Sequence, residues 1–225
     1  MERLQAAPNI EKVLNRKPDT IIVLGSGLHS SKVNTNGKTS IDERMRIYAG
    51  LELYKRMVDR GCNPSFVFCG GSIYKDFPPL SSVAKELVSG IVADSNAYLF
   101  TVNGNNTLSD ISLAIKCMEE KSLSRGVVIS NGYHRVAKLY ANRKGLMYLP
   151  AEDLLKIRDH RYEKIVEDLK KTKYYKDSDI MQIALSLIVS LPFGLGDKVY
   201  LKMSDKSELV AEKNDPYKLQ KMVGK

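Results

Sequence analysis

The feature of this sequence that most constrains its fold is an alternation of short apolar runs with longer amphipathic ones. The first run, TIIVLGSG from Thr20 to Gly27, is rich in β-branched residues and ends in glycine, which is typical of a strand buried on both faces. SFVFCGG, AYLFTV, GVVIS and LMYL follow in turn, separated by stretches with helical periodicity. This alternation predicts an open, doubly wound α/β fold of the Rossmann-like type, with about five parallel strands flanked by helices.

The rest of the chain is predicted to be helical and to pack on the sheet. After Leu149 come AEDLLKIRDHRYEKIVEDLKK and SDIMQIALSLIVSL, and then a charged tail. We therefore expect a single domain over residues 1–225, made of an N-terminal helical extension (1–18), a Rossmann-like core (19–150) and a C-terminal helical region with its tail (151–225).

Residues that favour helix starts indicate where two of the helices begin. SIDE, from Ser40 to Glu43, predicts a capping box that opens a helix running to Gly61. Thr107 and Asp110 have the same spacing and predict a second capping pair. Asp110 therefore has two candidate roles, as a helix-capping residue and as an acid or base.

Cysteine usage and the lack of targeting signals predict a cytoplasmic protein. Cys62, Cys69 and Cys117 are odd in number and form no C-x-x-C pair, so neither a disulfide framework nor a zinc site is expected. The first residues, MERLQAAPNIEKVLNRK, lack the apolar core of a signal peptide. The longest apolar run, IALSLIVSLPF, is shorter than the ~20 residues that span a bilayer, and we expect no membrane partner.

The net charge of +9 and the pI of about 9.3 raise the possibility of nucleic-acid binding. The bases alternate with acids, as in EDLLKIRDHRYEK, which is typical of solvated helix faces. No recognition-helix, zinc-finger or aromatic RNA-binding motif accompanies them. We therefore expect a small-molecule ligand and no nucleic acid, and the oligomeric state stays open.

Four joins between a strand and the next helix are small or polar, and parallel strands bring such joins to one edge of the sheet. They are Gly25-Ser26-Gly27, Cys69-Gly70-Gly71-Ser72, Asn103-Gly104-Asn105-Asn106-Thr107 and Ser130-Asn131-Gly132-Tyr133-His134. Glycines allow a ligand close to the main chain, and helix starts add unpaired N–H groups. Turn chemistry alone explains glycines and capping residues, but it does not require the Tyr133-His134 pair. The coincidence of the four joins predicts a ligand site at this edge.

Two common nucleotide motifs do not fit these joins. A dinucleotide fingerprint needs a third glycine where Ser30 stands and an acid at the end of the second strand, which here ends in Cys69-Gly70. The phosphate-binding motif G-x-x-x-x-G-K-[ST] is absent. Neither ordinary NAD binding nor a P-loop is therefore predicted.

The ordered motifs LGSG, RIYAGLELY, CGGS, PLS, NNT and YH between Thr20 and Leu149 resemble those of the YdcF/SanA/ElyC-like family. The resemblance implies a Rossmann-like fold, and it is strongest to the cytoplasmic branch, one member group of which binds S-adenosylmethionine. Membrane-anchored branches are linked to envelope biogenesis. By position, the resemblance marks Gly25, Gly27, Arg46, Gly70, Gly71, Asn106, Thr107, Tyr133 and His134.

This chain departs from the family pattern at several polar positions. Ser82 stands where a Glu is usual, Ser109 and Asp110 replace a Glu and an Asn, and Ala137 replaces an Arg. Arg135 is a possible substitute for that arginine, although it would lie on another face of the helix.

From the joins and the resemblance together we predict the residues of the site. His134 and Asp110 are candidate catalytic groups, His134 as a general acid or base, and no metal ligands are predicted. Arg46 is expected to counter an anionic ligand, with a surface salt bridge to Asp42 or Glu43 as the alternative. His29 ranks second to His134. The predicted cofactor-binding residues are Gly25, Ser26, Gly27, Arg46, Gly70, Gly71, Ser72, Asn106, Thr107, Asn131 and Tyr133.

Two classes of function follow from this site. In the first, the protein is an enzyme that acts on a nucleotide-like or phosphorylated small molecule, such as a sugar phosphate or an envelope precursor. In the second, it is a sensing module that holds S-adenosylmethionine or a related adenosine compound without turnover.

Overall fold

The computed structural model of the chain describes residues 8–25, 41–72, 78–92, 98–158, 160–191 and 195–203. Within this part, five strands form one sheet in the order β3-β2-β1-β4-β5, and all four pairings are parallel. The strands are β1 (Thr20–Val23), β2 (Ser65–Cys69), β3 (Leu99–Val102), β4 (Gly126–Ser130) and β5 (Met147–Pro150). The predicted α/β fold with a parallel, Rossmann-like sheet is confirmed.

Helices precede, connect and follow the strands. They are α1 (Pro8–Asn15), α2 (Ile41–Val58), α3 (Leu80–Ser89), α4 (Thr107–Glu120), α5 (Arg135–Arg143), α6 (Ala151–Arg158), α7 (His160–Lys171) and α8 (Lys173–Val189), and residues 195–203 are also helical. The predicted helix end at Gly61 is wrong, because α2 ends at Val58 and the chain turns at Gly61 with a φ of +74°. None of the helices in these ranges combines the length and the apolar character that crossing a bilayer requires.

The sheet separates two apolar cores. Ile21 and Val23 of β1 point into a core that includes residues of α1, α2, α3, α6 and α7. Ile22, on the opposite face of β1, contributes to a core with residues of α4, α5 and α8. Because both faces are covered, β1 is buried along its whole length, which explains its continuous apolar run.

The strand order reverses between β1 and β4. From β1 the chain moves outward to β2 and β3, and it then crosses to β4 on the other side of β1. The register pairs Thr20 with Gly126 and Val23 with Ile129, so the two strands end at the same level. The helix after β1 and the helix after β4 pack on opposite faces of the sheet. This arrangement creates a switch point, where α/β sheets bind ligands.

Candidate functional site

The structure places the described loops of the predicted site along one edge of the sheet. Gly25, Gly70, Asn106 and His134 each follow the carboxyl end of a parallel strand, as predicted. Ser72, at the end of the second join, is exposed. Three residues of the sequence prediction, Ser26, Gly27 and His29, and the first capping residue Ser40, lie outside the described residues.

Arg46 is a buried cation that spans the switch point. Its side chain is only 2% exposed. Nε donates to Oδ1 of Asn131 at 2.5 Å, and Nη1 donates to the carbonyl oxygens of Leu24, at 3.0 Å, and of Gly25. The guanidinium therefore joins the end of β1 to the loop after β4.

The acids beside Arg46 keep it charged and tie α2 to the β4 loop. Burial disfavours the cation, but Tyr133, Asp42 and Glu43 outweigh that cost, and the pKa of Arg46 is raised above its ordinary value. Asp42 accepts hydrogen bonds from Nδ2 of Asn131 at 3.3 Å and from the Tyr133 hydroxyl at 3.0 Å. The predicted surface salt bridge of Arg46 is wrong, because folding has buried Arg46 and both neighbouring acids.

His134 is the N-cap residue of α5, and its side chain bridges two joins. The imidazole is 8% exposed. Nδ1 lies 2.7 Å from Oγ of Ser130, and Nε2 lies 2.9 Å from Oγ1 of Thr107, the first residue of α4. Hydroxyls can donate or accept, so these contacts suit either protonation state of the ring. A ligand at this edge would reach the imidazole through the half-buried Thr107.

Protein groups already satisfy the first amides of two of the helices at this edge. The carbonyl oxygens of Gly71 and Gly70 accept from the N–H groups of Leu80 and Ser81 at the start of α3. At the start of α5, Oε1 of Gln182 accepts from the amide of Val136 at 3.2 Å. The N–H groups at these two helix starts therefore already have acceptors, whereas the sequence predicts that they are unpaired.

At the start of α4, two amides have no acceptor in the part of the chain that the structure describes. The predicted capping pair of Thr107 and Asp110 is wrong: Asn106 is the N-cap, its Oδ1 accepts from the amide of Ser109, and Oγ of Ser109 accepts from the amide of Asn106. The extended backbone of Asn106, with φ −158° and ψ 168°, makes Thr107 the first helical residue. Among the described residues, the amides of Thr107 and Leu108 donate to no acceptor.

Asp110 lies one residue past this capping box. The side chain is 6% exposed, and its Oδ1 has no hydrogen-bond partner among the described residues. Burial raises the pKa of Asp110 well above its ordinary value, and backbone hydrogen bonding from Gly104 and Gly70 opposes this only in part. The buried thiol of Cys69 lies 3.9 Å from the carbonyl oxygen of Asp110. Burial also raises the pKa of that thiol, in keeping with a packing residue.

The glycines of the first three joins allow these loops to pack against one another. A Cβ at Gly25 would lie 2.8 Å from the carbonyl oxygen of Cys69, and a Cβ at Gly71 would lie 3.1 Å from that of Gly104. Gly70 has a φ of +121°, which other residues rarely adopt. Contacts among the loops therefore account for these glycines, whereas the sequence predicts that they let a ligand approach the main chain.

Several residues that lie at this edge were not predicted from the sequence. Glu152 accepts from the Gly132 amide at 2.8 Å, and Tyr148 donates to the carbonyl oxygen of Asn131 at 2.7 Å. The hydroxyl of Tyr200 lies near the side chain of Thr107, and burial raises the pKa of that hydroxyl. Glu152 comes just after β5, in a fifth join between a strand and a helix. The reasoning applied to the other four joins would also have predicted this residue. The contact of Tyr200 has no local sequence signal.

Two further observations bear on the identity of the site. The described residues contain no group of side chains suited to hold a metal ion. No protein-family model, no curated protein and no solved structure matches this chain. The resemblance to the YdcF/SanA/ElyC-like family stays a prediction.

Proposed function

We propose that this protein binds a small adenosine-type molecule, S-adenosylmethionine or a related nucleotide or phosphorylated compound, at the carboxyl ends of its strands. The observation that carries this proposal is the reversal of strand order between β1 and β4. Ligands of open α/β sheets bind outside the carboxyl ends of the strands at such a point.

The start of α4 supports a ligand that carries both acceptor and donor groups. The amides of Thr107 and Leu108, which have no acceptor among the described residues, lie at a helix N-terminus, which attracts phosphate, carboxylate or hydroxyl oxygens. Oδ1 of Asp110, one turn further along α4, is a buried polar atom with no hydrogen-bond partner among the described residues. S-adenosylmethionine offers a carboxylate and ribose oxygens to the first and an amino group or ribose hydroxyls to the second.

The hydrogen bonds of the site favour binding without turnover. Both ring nitrogens of His134 contact protein hydroxyls, and Arg46 donates to Asn131 and to two backbone carbonyls. An acid-base role for His134 would require a ligand to displace one of these contacts. An enzyme on a sugar phosphate or an envelope precursor is the alternative, and it would consume its ligand.

Calorimetric titration with S-adenosylmethionine, adenosine, ATP and a sugar phosphate tests the proposal. We expect saturable heat with an adenosine compound, no depletion of that compound on prolonged incubation, and about 2.7 kcal/mol of added stability at 100 times the Kd. Heat from the sugar phosphate alone, or depletion of the ligand, would favour the enzyme. If no compound binds, the proposal is wrong.

A matched pair of variants tests the position of the site. Asp110→Asn changes the buried carboxyl at the start of α4, and we expect about fivefold weaker binding, since a hydrogen bond contributes about 1 kcal/mol net. Asp59→Asn makes the same change at an exposed residue just after the end of α2. We expect Asp59→Asn to bind like the parent protein, and equal losses in both variants would contradict this position.

A further inference from the structure

A pocket lies between the joins that follow β4 and β5, on the far side of β4 from the switch point. It is partly open to solvent, has a volume of about 290 Å³, and is formed by the joins after the two strands together with α7 and α8. This volume is close to the lower end of the ~300–1,000 Å³ range of small-molecule sites. The residues that decide its chemistry are Gly132, Tyr133, Glu152, Asp153, Lys170 and Tyr175.

Glu152 is a charged side chain built into the wall of this pocket. It is 1% exposed, and its two oxygens accept from the Gly132 amide at 2.8 Å and from the Tyr175 hydroxyl at 3.2 Å. The Tyr133 hydroxyl donates away from the pocket, to Asp42. The hydroxyl protons of both tyrosines are therefore used inside the protein, and neither hydroxyl is left to donate to a ligand.

The charges around the pocket leave an excess of acid. Arg135 and Asp179 neutralise each other through two hydrogen bonds, at 2.8 and 3.2 Å. Glu152 and Asp153 then face one base, Lys170. Among the described residues, no ion pair within 4 Å joins Lys170 to either acid.

Aromatic faces add to the attraction for a cation. The rings of Tyr133 and Tyr175 meet edge to face, with centroids 4.9 Å apart, and both line the pocket. Aromatic faces attract ammonium groups through the ring quadrupole. We propose that this pocket binds a small aliphatic amine, whose ammonium group contacts the carboxylate of Asp153 and the ring of Tyr175, while the buried carboxylate of Glu152 adds negative charge behind them.

Calorimetric titration of the full chain with 1,4-diaminobutane tests this proposal, and succinate serves as an anion of similar length. We expect saturable binding of the diamine with a Kd below about 1 mM and no binding of succinate. Binding of succinate in place of the diamine, or no saturable heat from the diamine, would overturn the proposal.

Paired charge variants locate the binding site. Asp153→Asn should weaken diamine binding about fivefold, and Lys170→Gln should strengthen it about fivefold, because each removes one nearby charge. The controls are Asp168→Asn and Lys171→Gln, which make the same changes of net charge at side chains that are 61% and 73% exposed on α7. Equal effects in the controls would show that only the overall charge of the protein attracts the amine. That result would refute binding in this pocket.

A third variant tests the aromatic wall. Tyr175→Leu removes the ring and the hydroxyl bonded to Glu152, and we expect at least tenfold weaker diamine binding in protein that circular dichroism shows to be folded. Unchanged binding would contradict the proposal. The adenosine titrations use a different ligand and different variants, so either site can fail without the other.

Discussion

Arg46 is a charged side chain that folding removes from water, and its partners explain why the fold tolerates it. Two backbone carbonyls and Asn131 accept its hydrogen bonds, and Asp42 and Glu43 supply negative charge. Removal of one partner from a buried charged group leaves the others uncompensated. Arg46 is therefore expected to matter for the fold itself.

We predict that Arg46→Met lowers the free energy of unfolding by about 3–5 kcal/mol. Arg60→Met is the matched control, because Arg60 and its partner Glu11 are 39% and 42% exposed, and such pairs contribute about 1 kcal/mol or less. Urea denaturation of both variants measures the difference. Similar losses in the two would mean that the buried network adds nothing to stability.

Asp110 gives a prediction for the pH dependence of stability. Burial raises the pKa of Asp110 in the folded protein. Above the ordinary Asp pKa of about 3.9, the folded protein therefore keeps a proton that the unfolded chain has released. The free energy of unfolding consequently falls as the pH rises. Asn cannot ionise. We predict that the stability of Asp110→Asn relative to the parent protein increases as the pH rises above about 4, by at most about tenfold in the folding equilibrium constant per pH unit. Parallel pH profiles of the two melting temperatures would contradict this assignment.

The start of α4 depends on close packing against the loop that follows β3. A Cβ at Gly104 would overlap Oδ1 of Asp110 and lie 2.6 Å from its backbone nitrogen. Gly104 therefore sets how closely the β3 loop approaches α4. Gly90, the C-cap residue of α3, has a helical φ of −68° and no neighbour within 4 Å of a Cβ.

We predict opposite effects of alanine at these two glycines. Gly104→Ala should destabilise the protein by about 1–3 kcal/mol through overpacking. Gly90→Ala should be neutral or stabilise it by up to about 1 kcal/mol, because alanine restricts the unfolded chain. Thermal unfolding of both variants checks the pair, and a stable Gly104→Ala protein would show that the β3 loop can move away from α4.

The elements could be predicted where one local pattern determines them. GVVIS matches β4 to the residue, because a strand covered on both faces is apolar along its length. The α4 cap was assigned to the wrong pair because Asn106, Thr107 and Asp110 all favour helix starts, and backbone conformation selects among them. The acceptor that closes the start of α5 comes from Gln182, which is 46 residues from Val136 in sequence, and no local pattern indicates such a contact.

The sheet as a whole explains why residues so distant in sequence meet at one edge. All five strands run parallel, and β1 lies at the centre with β4 beside it. The joins after the strands therefore converge, as the sequence predicts from the alternation alone. Burial of Arg46 and the internal contacts of His134 could not be predicted in this way, because they depend on how the loops pack.

Hydrogen–deuterium exchange with and without saturating S-adenosylmethionine would show most directly where a ligand binds. We predict slower exchange at the amides of Thr107 and Leu108 and in residues 130–136, which follow β3 and β4. Exchange in residues 61–64 and 122–125, which precede β2 and β4 at the opposite edge, should be unchanged. Protection confined to that opposite edge, with ligand occupancy established by calorimetry, would contradict a site at the carboxyl ends of the strands.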